Sequence, residues 1–103
     1  IRYPGFFLDT LQRKVMVEGK EVLLTAREFD VLAVMARHPG RVYTYAQICH
    51  MIYGETDVGE ETYSSAYCLI SSLRKKLEKD SRHPRYLHTV YGVGYRFEDV
   101  LEK

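Results

Sequence analysis

The spacing of apolar residues changes twice along this chain, and that change constrains the fold most. Up to Leu24, apolar residues recur at period two: Val15 and Val17, then Val22 and Leu24, on either side of Glu18-Gly19-Lys20. Alternation around a glycine turn is the signature of a hairpin, because successive strand side chains point to opposite faces. Phe6-Phe7-Leu8 precedes it as another short strand. From Thr25 the spacing becomes helical, with Phe29, Leu32, Ala33, Met35 and Ala36 on one face. Thr25-Ala26-Arg27-Glu28 forms a capping box at the start of this helix. His38-Pro39-Gly40 stops it, since Pro disfavours helix before it and Gly suits a left-handed turn.

Arg41-Val42-Tyr43 is a brief extended link. Thr44-Tyr45-Ala46-Gln47 is a second capping box, opening a short helix with Ile48 and Ile52 inward and Gly54 at its end. A long helix is expected from about Thr62 to Lys79. Its buried stripe, Tyr63, Ala66, Ile70, Leu73 and Leu77, steps by three and four. Period two then returns. Tyr86 to Val90 is one arm, Tyr91-Gly92-Val93-Gly94 the turn, and Tyr95-Arg96-Phe97 the other arm. Strands, helix, short helix, long helix and hairpin in this order describe an α+β winged helix-turn-helix.

At 103 residues with 46% hydrophobic and 28% charged residues, the chain suits one domain with one core, residues 1–103. Abundant apolar residues and a net charge of +1 argue against disorder. Charges interrupt every apolar run well short of the roughly 20 residues a membrane span needs. No signal peptide is visible, and two cysteines are too few for a disulfide scaffold, so reduced thiols in the cytoplasm are expected. The chain does not begin with Met, and it is expected to be a fragment of a longer protein.

The bulk charge is weak evidence for nucleic acid, but its distribution is not uniform. Residues 74–96 hold Arg74, Lys75, Lys76, Lys79, Arg82, Arg85 and Arg96 against Glu78 and Asp80, an excess of five. The outer face of the long helix shows Ser64, Ser65, Tyr67, Cys68, Ser71, Ser72, Arg74 and Lys75. Small hydroxyls let a helix approach bases and phosphates closely. Charge and periodicity alone leave two readings level: a DNA-facing surface, or a solvated face whose cations suit the helix C-terminus.

Tyr91 lies at the hairpin tip, where an aromatic ring can enter a minor groove or simply face water. Gly92-x-Gly94 is no dinucleotide fingerprint, since the third glycine and the following helix are missing. Catalysis finds little support, because His38, His50, His83 and His88 are scattered and no nucleophile or ligand motif accompanies them. No enzyme activity, metal or other cofactor is expected. Cys68 fits a small surface residue better than a redox sensor, having no visible resolving partner.

Leu24-Thr25-x-x-Glu28-Phe29-x-x-Leu32, His38-Pro39-Gly40-Arg41-Val42-Tyr43-Thr44, Ile70-x-x-Leu73-Arg74-Lys75-Lys76-Leu77-Glu78 and Thr89-Val90-x-Gly92-x-Gly94-Tyr95-Arg96-Phe97 resemble the OmpR/PhoB-type response-regulator effector domain. The resemblance runs over essentially the whole chain. It implies a four-stranded antiparallel N-terminal sheet, a three-helix core and a C-terminal hairpin wing. It also implies a receiver domain N-terminal to this chain, phosphorylated by a sensor histidine kinase, and tandem binding of two copies to promoter DNA.

By position, the resemblance sends Ser64, Ser65, Tyr67, Cys68, Ser71 and Ser72 into the major groove. It gives phosphates to Arg74, Lys75, Thr89 and Tyr95, and places Tyr53 near the DNA backbone. Glu55, Asp57, Glu60 and Glu61 fall in the loop that can touch RNA polymerase in such proteins. This chain departs from the pattern at Ser71, Ser72 and Tyr91, where relatives often carry Arg, so bidentate guanine readout is lost there. The alternative is a degenerate winged helix that acts mainly as a protein-interaction module through the acidic loop.

Overall fold

The computed structural model describes the backbone of residues 1–53 and 62–98, and the side chains of these except 53 and 62–64. The acidic segment Glu55 to Glu61 lies outside the described residues. The N-terminal strands β1 (Arg2–Tyr3), β2 (Phe6–Asp9), β3 (Lys14–Val17) and β4 (Lys20–Val22) form an antiparallel meander in chain order. Val17 pairs with Lys20, so Glu18 and Gly19 alone make the turn. Both have positive φ, 52° and 81°, the geometry whose twist matches the strands on either side. Phe6, Leu8 and Val15 point inward and are buried.

Helix α1 (Ala26–Arg37) begins as its sequence requires. The Glu28 amide donates to Thr25 Oγ1 at 3.2 Å, and the Thr25 amide donates to Glu28 Oε1 at 2.9 Å. After β5 (Val42–Thr44), the second capping box opens α2 (Tyr45–Tyr53). The Thr44 amide donates to Gln47 Oε1 at 2.8 Å, and the Gln47 amide to Thr44 Oγ1 at 3.1 Å. Each box satisfies amides that have no partner within the helix.

Helix α3 (Thr62–Leu77) buries Ala66, Ile70, Leu73 and Leu77. It ends two residues before the expected Lys79, for a reason that lies in Glu78. That side chain is only 8% exposed and turns inward. Its carboxylate accepts the amides of Arg85 at 2.7 Å, Tyr86 at 3.0 Å and Leu87 at 2.9 Å.

Strands β6 (Leu87–Val90) and β7 (Gly94–Phe97) form the wing, and β7 sits between β5 and β6. Gly94 was expected in the turn, but it pairs with both Thr44 and Val90. A Cβ there would overlap the Tyr43 carbonyl oxygen and lie 2.8 Å from Thr44 Cα. The turn is therefore Tyr91-Gly92-Val93. Phe97 completes the core, its ring 5.2 Å from that of Phe6 and 5.8 Å from that of Tyr3. Aromatic contacts of this kind join the two sheets. Among the described residues, no helix is long and apolar enough to cross a membrane.

Candidate nucleic-acid interface

Helix α3 is held against the core by its apolar stripe, which leaves the opposite face outward. On that face Tyr67 is half exposed, Cys68 and Lys75 are exposed, and Ser65 and Ser71 are partly covered. The side chains of Tyr53 and Ser64 lie outside the described residues. Cys68 is a free thiol on the surface, while Cys49 is buried. Thr25, Arg27, Glu28, Ile52, Ser65, Cys68 and Leu69 line an open hollow of about 320 Å³ beside this face.

Three of the predicted residues come together where α3 meets the wing. Arg74 Nε donates to the Leu87 carbonyl at 3.0 Å, and Nη2 donates to Thr89 Oγ1 at 2.7 Å. The guanidinium carbon lies 5.6 Å from the centre of the Tyr95 ring. Tyr95 is itself buried, with its ring 5.6 Å from that of Tyr45 at the start of α2. Arg74 therefore joins α3 to both wing strands. All these partners are neutral, so the guanidinium charge is oriented but not cancelled.

Ser72 lies on the other flank of α3. Its Oγ donates to Glu28 Oε2 at 2.5 Å, and Lys76 Nζ stands 2.7 Å from Glu28 Oε1. Burial opposes ionisation of Glu28. The hydrogen bonds from Lys76, Ser72 and the Thr25 backbone, together with the Lys76 charge, outweigh it and hold the carboxyl below its usual range. Tyr91 stands apart from both clusters, 90% exposed at the wing tip.

The cationic excess of residues 74–96 is partly internal. Lys76 pairs with Glu28, Arg82 with Asp80 at 3.7 Å, Arg85 with Glu18 at 3.1 Å, and Arg96 with Glu98. Among the described residues, Lys75 and Lys79 have no carboxylate partner, and Arg74 has only neutral ones. Within residues 74–96 the uncompensated charge thus gathers at the C-terminal end of α3 and just beyond it. Sequence reasoning saw Glu28 only as a helix cap and did not assign Glu78 a role. Buried acids with several donors leave no local trace in sequence. No group of three His, Cys, Asp or Glu able to hold a metal occurs among the described residues.

A three-helix core whose last helix is braced by a β-hairpin and presents a polar face defines a winged-helix domain. Residues 19–97 match the family described as "Transcriptional regulatory protein, C terminal", and the chain belongs to that family. It is 36% identical over 98 residues to the transcriptional regulatory protein KdpE of Mycobacterium tuberculosis H37Rv, covering 95% of this chain and 42% of that protein. The chain thus spans about two fifths of this curated relative's length.

Among solved structures, the Klebsiella pneumoniae RstA DNA-binding domain in complex with the RstA box superposes with a TM-score of 0.82. It shows 31% identity, with 95% of each chain covered. The Thermotoga maritima response regulator DrrB, an OmpR/PhoB homologue, also gives 0.82, at 28% identity over 96% of this chain and 44% of that one. The OmpR/PhoB resemblance and the winged-helix fold are borne out.

Proposed function

We propose that this domain binds double-stranded promoter DNA sequence-specifically and regulates transcription. It would serve as the output domain of a two-component response regulator in the cytoplasm. The observation that carries this reading is the Arg74 cluster. It places an uncancelled cation, a hydroxyl and an aromatic wing strand together, next to a helix face of small polar residues. A phosphate there would meet Arg74 and Thr89, with the buried Tyr95 ring backing the guanidinium rather than reaching the phosphate as expected, while Tyr67, Cys68 and Ser71 face the groove. Lys75 would hold a second phosphate, and Tyr91 would reach from the wing tip. The likeness to the RstA DNA-binding domain in complex with the RstA box supports DNA binding.

Beyond this chain, the family resemblance supports a receiver domain, phosphorylated by a sensor histidine kinase, and a second copy on a tandem half-site. Glu55, Asp57, Glu60 and Glu61 would meet RNA polymerase. Fluorescence anisotropy with the protein's own promoter across a salt series tests the DNA reading. Affinity should fall as salt rises, because bound cations displace phosphate counterions. Absence of promoter binding by the phosphorylated whole protein would refute it. Charge reversal at the four acids that abolishes transcription while sparing DNA binding would support the polymerase contact.

A further inference from the structure

Glu28 occupies the third position of α1, where a capping glutamate needs only one oxygen for the backbone. Here Oε1 accepts the Thr25 amide, yet the residue is only 5% exposed. Helix α3 supplies the remaining donors, Ser72 Oγ at 2.5 Å and Lys76 Nζ at 2.7 Å. These two residues are four apart, one turn along the same flank of α3. Two donors from one helix converging on one carboxylate resist rotation of that helix about its axis, which a single bond would not. They also leave the Ser72 hydroxyl proton and the Lys76 charge already engaged.

We propose that Glu28 is a positioning residue of the DNA interface. It sets the rotation of α3 and withdraws Ser72 and Lys76 from direct readout, so base recognition falls to the Tyr67, Cys68 and Ser71 side. This inference rests on the DNA-binding reading above. It departs from position-by-position transfer, which sends Ser72 into the major groove.

The test uses the whole protein and a duplex that the unaltered protein enriches from a randomised DNA pool. Base preference at each position, affinity, salt slope and Tm are measured for S72A, S72T, K76M, E28Q and the S72A/E28Q pair. S72A should weaken binding roughly threefold to tenfold with every base preference unchanged, and S72T should restore it. In the E28Q background S72A should cost less than it does alone. K76M should weaken binding and leave the salt slope as it was.

Relaxed preference at one base pair in S72A would overturn the proposal, because Ser72 would then read a base. So would a K76M slope shallower by about 0.9, the mark of a lost phosphate contact. Lower Tm in S72A and K76M with unchanged affinity would also overturn it, leaving Glu28 a purely structural brace. A wild-type protein that enriches no duplex would overturn the DNA reading, and the positioning role with it.

Discussion

Arg74 and Lys76 are two residues apart on α3 and receive opposite treatment. Side chains at that spacing leave a helix on different sides. Lys76 meets a buried carboxylate, while Arg74 meets a carbonyl, a hydroxyl and a ring. Both contacts tie α3 to another element, but only the first cancels a charge. The lesson is that counting cations along a helix overstates what a polyanion would feel. The partner's charge decides whether a cation serves only the fold or also the surface.

The comparison breaks most completely if the wing is unseated while the Glu28 flank stays intact. Gly94→Ala forces a Cβ onto the backbone of Tyr43 and Thr44, which cannot yield as a side chain would. A loss of about 3 kcal/mol is expected in denaturant unfolding. DNA affinity should fall with it, because Thr89 and Tyr95 lie on the displaced strands.

Arg74→Met acts next. Losing a charged donor from two acceptors should cost about 2 kcal/mol of stability. Anisotropy should show binding at least tenfold weaker, about 1.4 kcal/mol, with a salt slope shallower by about 0.9.

A smaller effect separates the two flanks by pH. Glu28 is ionised more readily in the folded state than in the unfolded one. Its stabilisation is therefore complete above the ordinary carboxylate range, about 4.3. It is lost as pH falls through the lower folded-state value. Thermal unfolding between about pH 5 and 2 should show this acid limb, flattened in Glu28→Gln and retained in Arg74→Met. An equally steep limb in Glu28→Gln would place the titration elsewhere.

The smallest effect on stability belongs to the residue outside both clusters. Tyr91→Ala should leave unfolding within about 0.5 kcal/mol of wild type, since the ring is 90% exposed. A severalfold loss of DNA affinity is expected and would mark the wing tip as a contact. Unchanged affinity would assign Tyr91 to solvent.

What the sequence revealed was local. The two capping boxes and the α3 stripe at Ala66, Ile70, Leu73 and Leu77 each depend on residues within a few positions of one another and stand as read, while the turn expected at Glu18-Gly19-Lys20 is shorter, because Lys20 already pairs in β4. What it hid was distant. Nothing near Glu28 announces that Ser72, 44 residues on, will share its carboxylate. Nothing in the charged run after Leu77 shows that Glu78 will fold inward and end the helix. Gly94 looked like a turn residue because glycine is common in turns. Its reason is instead the close approach of β5, which belongs to a part of the chain much earlier in sequence. The interface residues behaved likewise. Their positions on α3 and the wing were legible, but which of them were already engaged was not.

The placement of β7 between β5 and β6 bears on how the domain assembles. More than half the chain separates Val42 from its partner Arg96, so this pairing has a high contact order and a large loop-closure cost. The helices can form and collapse on local signals, but the sheet that carries the wing waits for one of the last described segments. During synthesis, the surface proposed to grip DNA would take shape only after the three helices have emerged. A nascent chain stalled before Phe97 would therefore hold a recognition helix without its brace.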